Sequence, residues 1–217
     1  MLKSLYPEIS WNDIDIIGLD MDGTLYDEID FISEVYRPIS FKLATVDKRS
    51  PEEIYSWMLS RWIEKGSSYN KIFEEVLLGV NINFEYKSKL ISECLEIFRC
   101  YKPEIILSER VEAVLNEMKK SFGLFLITDG SGALQARKFE SLGLGRWIDA
   151  NNVGITGSFG AMFSKPATNI IEKIEILRGG KYEGRVVYFG DRDVDATFSK
   201  NAGFNFVRVK SMKPELK

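Results

Sequence analysis

With 217 residues, 45% of them hydrophobic and 28% charged, the chain can bury one sizeable core with a smaller appendage, or form a single large α/β domain. Its net charge of −3 excludes the basic excess of a general nucleic-acid binder. The absence of any histidine excludes Ser-His-Asp and Cys-His mechanisms and histidine-ligated zinc, leaving carboxylates, lysine, hydroxyls or a hard cation held by oxygen to run any catalysis.

The opening segment MLKSLYPEISWND has no apolar run long enough for a secretory leader. Nowhere is there a run of about 18 apolar residues, so no membrane span is expected. The first strong element is Ile14-Asp15-Ile16-Ile17-Gly18-Leu19-Asp20, an apolar run suited to a buried parallel strand, closed by the turn-like Met21-Asp22-Gly23-Thr24.

A different kind of segment follows, over residues 27–103. Phe31, Val35, Ile39 and Leu43 step by four along one helix face. Ser50-Pro51-Glu52-Glu53 reads as a capping box with proline at the first helical position, opening a helix through Trp57, Met58 and Trp62. Tyr69, Ile72, Phe73, Val76 and Leu77 make a third helix ending at Gly79, and Leu90, Ile91, Cys94 and Phe98 a fourth stopped by Pro103. Four helices in a row do not continue a strand-helix alternation, which predicts a helical cap inserted in the core; the alternative is that they pack on the sheet as part of one domain. Cys94 and Cys100 match no zinc or redox spacing and read as free thiols of a reducing cytoplasm.

Beyond the insertion the alternation sets in. Ser108 can cap a helix carrying Val111, Val114, Leu115 and Met118 on one face and ending near Gly123. The strand Leu124-Phe125-Leu126-Ile127 runs into Thr128-Asp129-Gly130, and a helix from about Ala133 to Leu142 stops at Gly143. Ile170, Ile171, Ile174 and Leu177 predict a further helix before Gly179-Gly180. Val186-Val187-Tyr188-Phe189 leads into Gly190-Asp191-Arg192-Asp193-Val194-Asp195, and Phe204 to Val209 form a last strand. The pattern predicts an α/β fold: a three-layer, Rossmann-like parallel sheet core, residues 1–26 and 104–217, with the helical cap between. In such sheets ligands bind beyond the carboxyl ends of the strands, so three polar turns should converge on one crevice.

Asp20 and Asp22, at i and i+2 after a buried strand, can enter that crevice together, Gly23 permitting the tight backbone path. One can attack phosphorus while the other handles the leaving group's proton. A lone Asp-x-Asp is commonly a solvated turn, but Asp-x-Asp-Gly-Thr should arise by chance in roughly one chain of several hundred at average residue usage. Asp191 to Asp195 is an acidic turn by itself; paired with the first cluster it offers a hard divalent cation its oxygen ligands. Thr128, the backbone near Asp129 and Gly130, and Lys165 before Pro166 supply a hydroxyl, N–H groups and a charge for phosphate oxygens.

The segments DMDGT, LITDG, SKP and GDRDVD, in that order from Ile14 to Val209, resemble the four motifs of the haloacid dehalogenase-like superfamily. Gln135, Lys138 and Leu142-Gly143-Leu144, then Asn201-Ala202-Gly203, resemble its branch with a helical cap after the first motif. The resemblance implies Asp20 as nucleophile and metal ligand through an aspartyl-phosphate, and Asp22 as general acid and then base, its carbonyl on the metal. It implies Thr128 and Lys165 on the phosphoryl oxygens and Asp191 on Mg2+, with Asp195 supporting the metal's water shell or orienting Lys165. Phosphate binding by Thr128, Asp129, Gly130 and Lys165 belongs to the same expectation. Asp129 stands where that superfamily more often has Asn, and an ionised carboxylate aimed at phosphate would repel it. Its side chain is therefore expected to point away, leaving the backbone N–H in use and Asp129 outside catalysis.

The resemblance implies a Mg2+-dependent phosphatase acting on a small phosphorylated metabolite, a sugar phosphate or nucleoside monophosphate. The chain is expected to be a cytoplasmic monomer or homodimer that engages neither nucleic-acid polymer nor membrane. Three rivals stand: a dehalogenase, which would not need Asp22; a phosphomutase of the β-phosphoglucomutase type; and a catalytically silent binding domain, which the presence of Asp20, Asp22, Lys165 and Asp191 disfavours. The cap should choose the substrate by closing over it. Arg37, Lys42, Trp57, Arg61 and Trp62 are candidate contacts, more simply read as packed or solvated side chains. Asp27, Glu28 and Asp30 are either hinge residues or an exposed acidic loop.

Overall fold

In a computed structural model, which describes residues 2–180, 182 and 184–209, the chain divides into two compact units. One comprises residues 1–28 and 105–217, the other residues 29–104. The expected core range runs on to residue 217, and its last stretch, 210–217, lies outside the described residues.

The first unit opens with the short helix α1 (Leu2–Leu5) and the buried strand β1 (Ile16–Leu19). The long helix α2 (Glu28–Leu43) takes its first residue from this unit and the rest from the second. Phe31, Val35, Ile39 and Leu43 of α2 are all buried, each such side chain being worth about 1.5–3 kcal/mol when withdrawn from water. Helix α3 (Pro51–Lys65) begins as its sequence dictates. Ser50 Oγ accepts from Glu53 N at 3.2 Å and Glu53 Oε2 accepts from Ser50 N at 2.7 Å. The third helix, α4 (Ile72–Val76), has five residues and excludes Tyr69, whose hydroxyl instead bonds the Glu75 carboxylate. Asn83 caps α5 (Phe84–Cys100) by accepting from Tyr86 N at 2.8 Å. Edge-on ring pairs, Phe31 with Phe98 at 5.4 Å and Tyr36 with Phe73 at 5.9 Å, tie α2 to α5 and α4.

The candidate contacts in this unit are engaged internally. Arg61 pairs with Glu75 at 2.6 Å and Glu64 at 2.6 Å, Lys42 pairs with Glu93 at 2.5 Å, and Arg37 lies 4.6 Å from the Tyr55 ring centroid. Trp57 and Trp62 are half-buried.

Back in the first unit, Ser108 Oγ caps α6 (Glu109–Ser121), followed by β2 (Gly123–Thr128), α7 (Gly132–Ser141), β3 (Val153–Ile155), β4 (Val186–Gly190), α8 (Asp193–Ala202) and β5 (Asn205–Arg208). The five strands form one parallel sheet in the order β3-β2-β1-β4-β5. Leu19 pairs with both Leu126 and Phe189, so the ends of β1, β2 and β4 finish side by side. The chain leaves β1 toward β2 and β3 on one side and returns to β4 and β5 on the other. This makes β1 the switch point of an α/β Rossmann-like core.

Two elements differ from expectation. The short strand β3 escaped the pattern because Gly154 interrupts a three-residue run. Ile170, Ile171, Ile174 and Leu177 are buried as expected but lie on two 3-10 stretches, Asn169–Lys173 and Glu175–Leu177, with extended backbone at Ile174. Their 171-174-177 spacing of three suits a 3-10 face, and crowded β-branched isoleucines weaken an α-helix. No helix among the described residues is long and apolar enough to cross a membrane.

Candidate active site

At the carboxyl edge of the sheet, Asp20 follows β1, Thr128 ends β2 and Asp191 follows β4. Lys165 reaches the same place from the loop after β3, with a cis peptide to Pro166. Its Nζ, wholly buried, donates to Asp20 Oδ1 at 2.7 Å and Asp195 Oδ1 at 2.5 Å, and lies 3.5 Å from the Tyr188 hydroxyl. Burial opposes the charge on Lys165, but Asp20, Tyr188 and Asp195 outweigh it and hold the ammonium well above its usual range.

Burial pushes the Asp20 carboxyl up to about 7, Lys165 opposing and Asp195 and Asp22 adding to the rise. Thr24 Oγ1 donates to Asp20 Oδ2 at 3.3 Å. Asp195 uses both oxygens: Oδ1 on Lys165 and Oδ2 accepting from Arg192 N at 3.1 Å at the start of α8. This close seat needs Gly190, where a Cβ would come within 2.5 Å of the Asp195 Cβ and 2.7 Å of its Cγ.

Asp22 is held differently. Lys138 Nζ donates to its Oδ1 at 2.7 Å, the Tyr26 hydroxyl also donates to Oδ1, and Gln135 Nε2 donates to Oδ2 at 2.6 Å. Burial alone would raise this carboxyl, but the Lys138 charge and the three hydrogen bonds keep it below the usual carboxylate range. Gln135 Nε2 lies 2.9 Å from Thr128 Oγ1 and 2.5 Å from the Asp129 carbonyl, so one amide links the first two motifs. Asp129 Oδ1 accepts from Thr156 Oγ1 at 2.8 Å and from Lys165 N at 3.1 Å, bracing the loop that carries the lysine.

Glu28 is not in an exposed acidic loop. Burial pushes its carboxyl up to about 7, with Asp22 raising it further and Lys138 and Arg192 opposing, which puts it in the field of the site. Tyr26 and Tyr188 were missed in the sequence because a lone tyrosine in an apolar run reads as core; the proximity of Tyr26 to Asp22 four residues earlier was the available signal.

Carboxylate oxygens of Asp20, Asp191 and Asp195 lie within 4.8 Å of one another. Asp191 Oδ1 is buried without a hydrogen-bond partner, whereas both Asp195 oxygens are bonded. Gly23, at φ +75°, leaves the space beside Asp191 that a Cβ would fill, its Cγ standing 2.8 Å from where that Cβ would be. An oxygen-only set with one unsatisfied buried carboxylate oxygen fits a hard divalent cation, with Asp20 and Asp191 having the capacity to ligate.

The profile of the haloacid dehalogenase-like hydrolases matches residues 14–203, and the chain belongs to that family. Solved structures share the fold. A haloacid dehalogenase-superfamily hydrolase of subfamily IA from Geobacter sulfurreducens is 17% identical, with TM-score 0.67 over 93% of this chain and 90% of its own. A provisionally assigned hydrolase of the same superfamily from Bacillus subtilis, bound to magnesium, is 15% identical, with TM-score 0.64 over 94% and 90%. A provisional β-phosphoglucomutase from Thermotoga maritima is 21% identical, with TM-score 0.62 over 94% and 89%. No curated protein matches the sequence.

Proposed function

We propose that this hydrolase is a Mg2+-dependent phosphomonoesterase that acts on a small phosphorylated metabolite, a sugar phosphate or nucleoside monophosphate, through an aspartyl-phosphate on Asp20. The observation that carries it is the buried pairing of Asp20 Oδ1 with Lys165 at 2.7 Å, beside an Asp22 carboxylate fixed by three donors. A nucleophile held by a cation and a proton-handling neighbour at i+2 are what in-line phosphoryl transfer asks of a protein.

In the first half-reaction an Asp20 oxygen bonds to phosphorus, the ester P–O bond breaks, and the leaving oxygen takes the proton of the Asp22 carboxyl, which is left ionised for the second. In the second, water bonds to phosphorus, the Asp20–phosphorus bond breaks, and the water's proton passes to Asp22. Lys165 steadies Asp20 and, with Thr128 and the N–H groups of Asp129 and Gly130, faces the phosphoryl oxygens. Asp20, Asp191 and the Asp22 carbonyl would hold Mg2+, which when bound neutralises charge on the phosphoryl group and on the carboxylates. A dehalogenase would have no task for Asp22, and the investment of three donors in that side chain favours the phosphatase. We assign substrate choice to the helices of residues 29–104, acting as a cap. The free Cys94 and Cys100 suit a reducing cytoplasm, and the net charge of −3 suits a protein that engages no nucleic-acid polymer; we assign it no membrane partner and a monomeric or homodimeric state.

The test is p-nitrophenyl phosphate and a panel of sugar and nucleoside monophosphates, with and without Mg2+, beside Asp20→Asn. Metal-dependent release of inorganic phosphate that vanishes in the variant supports the proposal. Isomerised sugar phosphate without free phosphate would replace it by the mutase, and turnover surviving in Asp20→Asn would overturn the mechanism.

A further inference from the structure

Gln135 and Lys138 stand three residues apart on α7, so they share one face of the helix. Both are 3% exposed, unusual for a glutamine and a lysine, and both turn their polar ends on Asp22. A carboxylate has about four lone-pair sites, two per oxygen. On Asp22, Oδ1 receives Lys138 and Tyr26, and Oδ2 receives Gln135. Among the described residues these three donors leave one lone pair, on Oδ2.

We propose that Lys138 and Gln135 are positioning residues that fix Asp22 as the base for the second half-reaction, with that Oδ2 lone pair as the site that takes the proton from water. The inference rests on the phosphatase reading above. The balance is simple: water oxygen bonds to phosphorus, the bond from phosphorus to the Asp20 oxygen breaks to return the carboxylate, and the proton moves to Asp22 Oδ2. Gln135 adds a second function. By spanning Asp22 Oδ2, Thr128 Oγ1 and the Asp129 carbonyl, it sets the base in register with the strand end that faces the phosphoryl oxygens.

A good leaving group separates this role from a merely structural one. p-Nitrophenolate departs without acid help, so kcat/KM for its phosphate reports formation of the aspartyl-phosphate, while kcat includes its breakdown. Lys138→Met should lower kcat about 10–100-fold, part of the 10²–10⁴ a positioned base supplies. KM should fall in parallel, kcat/KM should stay within about threefold, and acid-quenched enzyme should accumulate as phosphoenzyme. Lys138→Arg, which keeps a charged donor, should recover most of kcat. Gln135→Met gives a second reading of the same split if Lys138→Met folds poorly. An unchanged kcat, or a kcat/KM that falls as far as kcat with no phosphoenzyme accumulating, would overturn the assignment. A wild-type protein that turns over no phosphomonoester would instead overturn the phosphatase reading, and this inference with it.

Discussion

Lys165→Met strips the ammonium from between two carboxylates, Asp20 and Asp195, that are 1% and 0% exposed. Losing one partner of a buried ion pair costs about 3–5 kcal/mol, because the remaining charge has neither water nor a counter-charge. For a chain of this size each kcal/mol moves the unfolding midpoint by about 2–4 °C, so the loss should be about 6–20 °C. The sign of the pH dependence follows from Asp20. Its folded-state carboxyl is raised to about 7, so its contribution is present at low pH and is lost as pH rises through that value. Removing Lys165 removes the main force opposing that rise. The destabilisation should therefore be larger at about pH 8 than at about pH 5. Thermal unfolding of wild type and variant in EDTA at the two pH values measures it. A midpoint shift below about 2 °C, or a shift equal at both pH values, would refute the account of how this site is held.

Other predictions follow from the same geometry. With Asp20 proposed as a Mg2+ ligand and its carboxyl raised to about 7 by burial, binding below that pH would have to displace a proton there. Calorimetric titration should show affinity falling from about pH 8 to about pH 5.5, with proton release; pH-independent binding would remove Asp20 from the metal site. Asp129→Ala deletes the acceptor shared by Thr156 Oγ1 and Lys165 N and should cost about 1–3 kcal/mol in denaturant unfolding. Asp129→Asn retains an acceptor oxygen and should lose less than half of that. Cys100 is exposed and should react with a thiol reagent in the native protein. Cys94, buried with its thiol pushed up to about 12, should react only after denaturation.

The strand ends and their acidic turns were legible because each is local: an apolar run, then a polar turn, written in consecutive residues such as Ile16 to Thr24. The capping box at Ser50 and the buried stripe Phe31, Val35, Ile39 and Leu43 were legible for the same reason. What escaped is non-local or energetically balanced. Lys138 meets Asp22 across 116 residues of sequence, and nothing in the spacing of either foretells the pair. The Asp129 carboxylate could be expected to turn from phosphate on charge grounds, but Thr156 as its partner could not be read. Strand β3 is held by its ladder with β2 rather than by its own pattern. The 3-10 stretches near Ile174 bury the residues a helix would have buried, so apolar periodicity could not distinguish them.

The most direct measurement on the central claim is to quench the enzyme in acid during turnover with Mg2+ and a phosphomonoester, then map the bound phosphoryl group by peptide mass spectrometry. A hydroxylamine-labile phosphoryl group is expected on the peptide carrying Asp20, more abundant in Lys138→Met than in wild type. Phosphoryl label on another residue, or turnover with no phosphoenzyme in either protein, would contradict the claim.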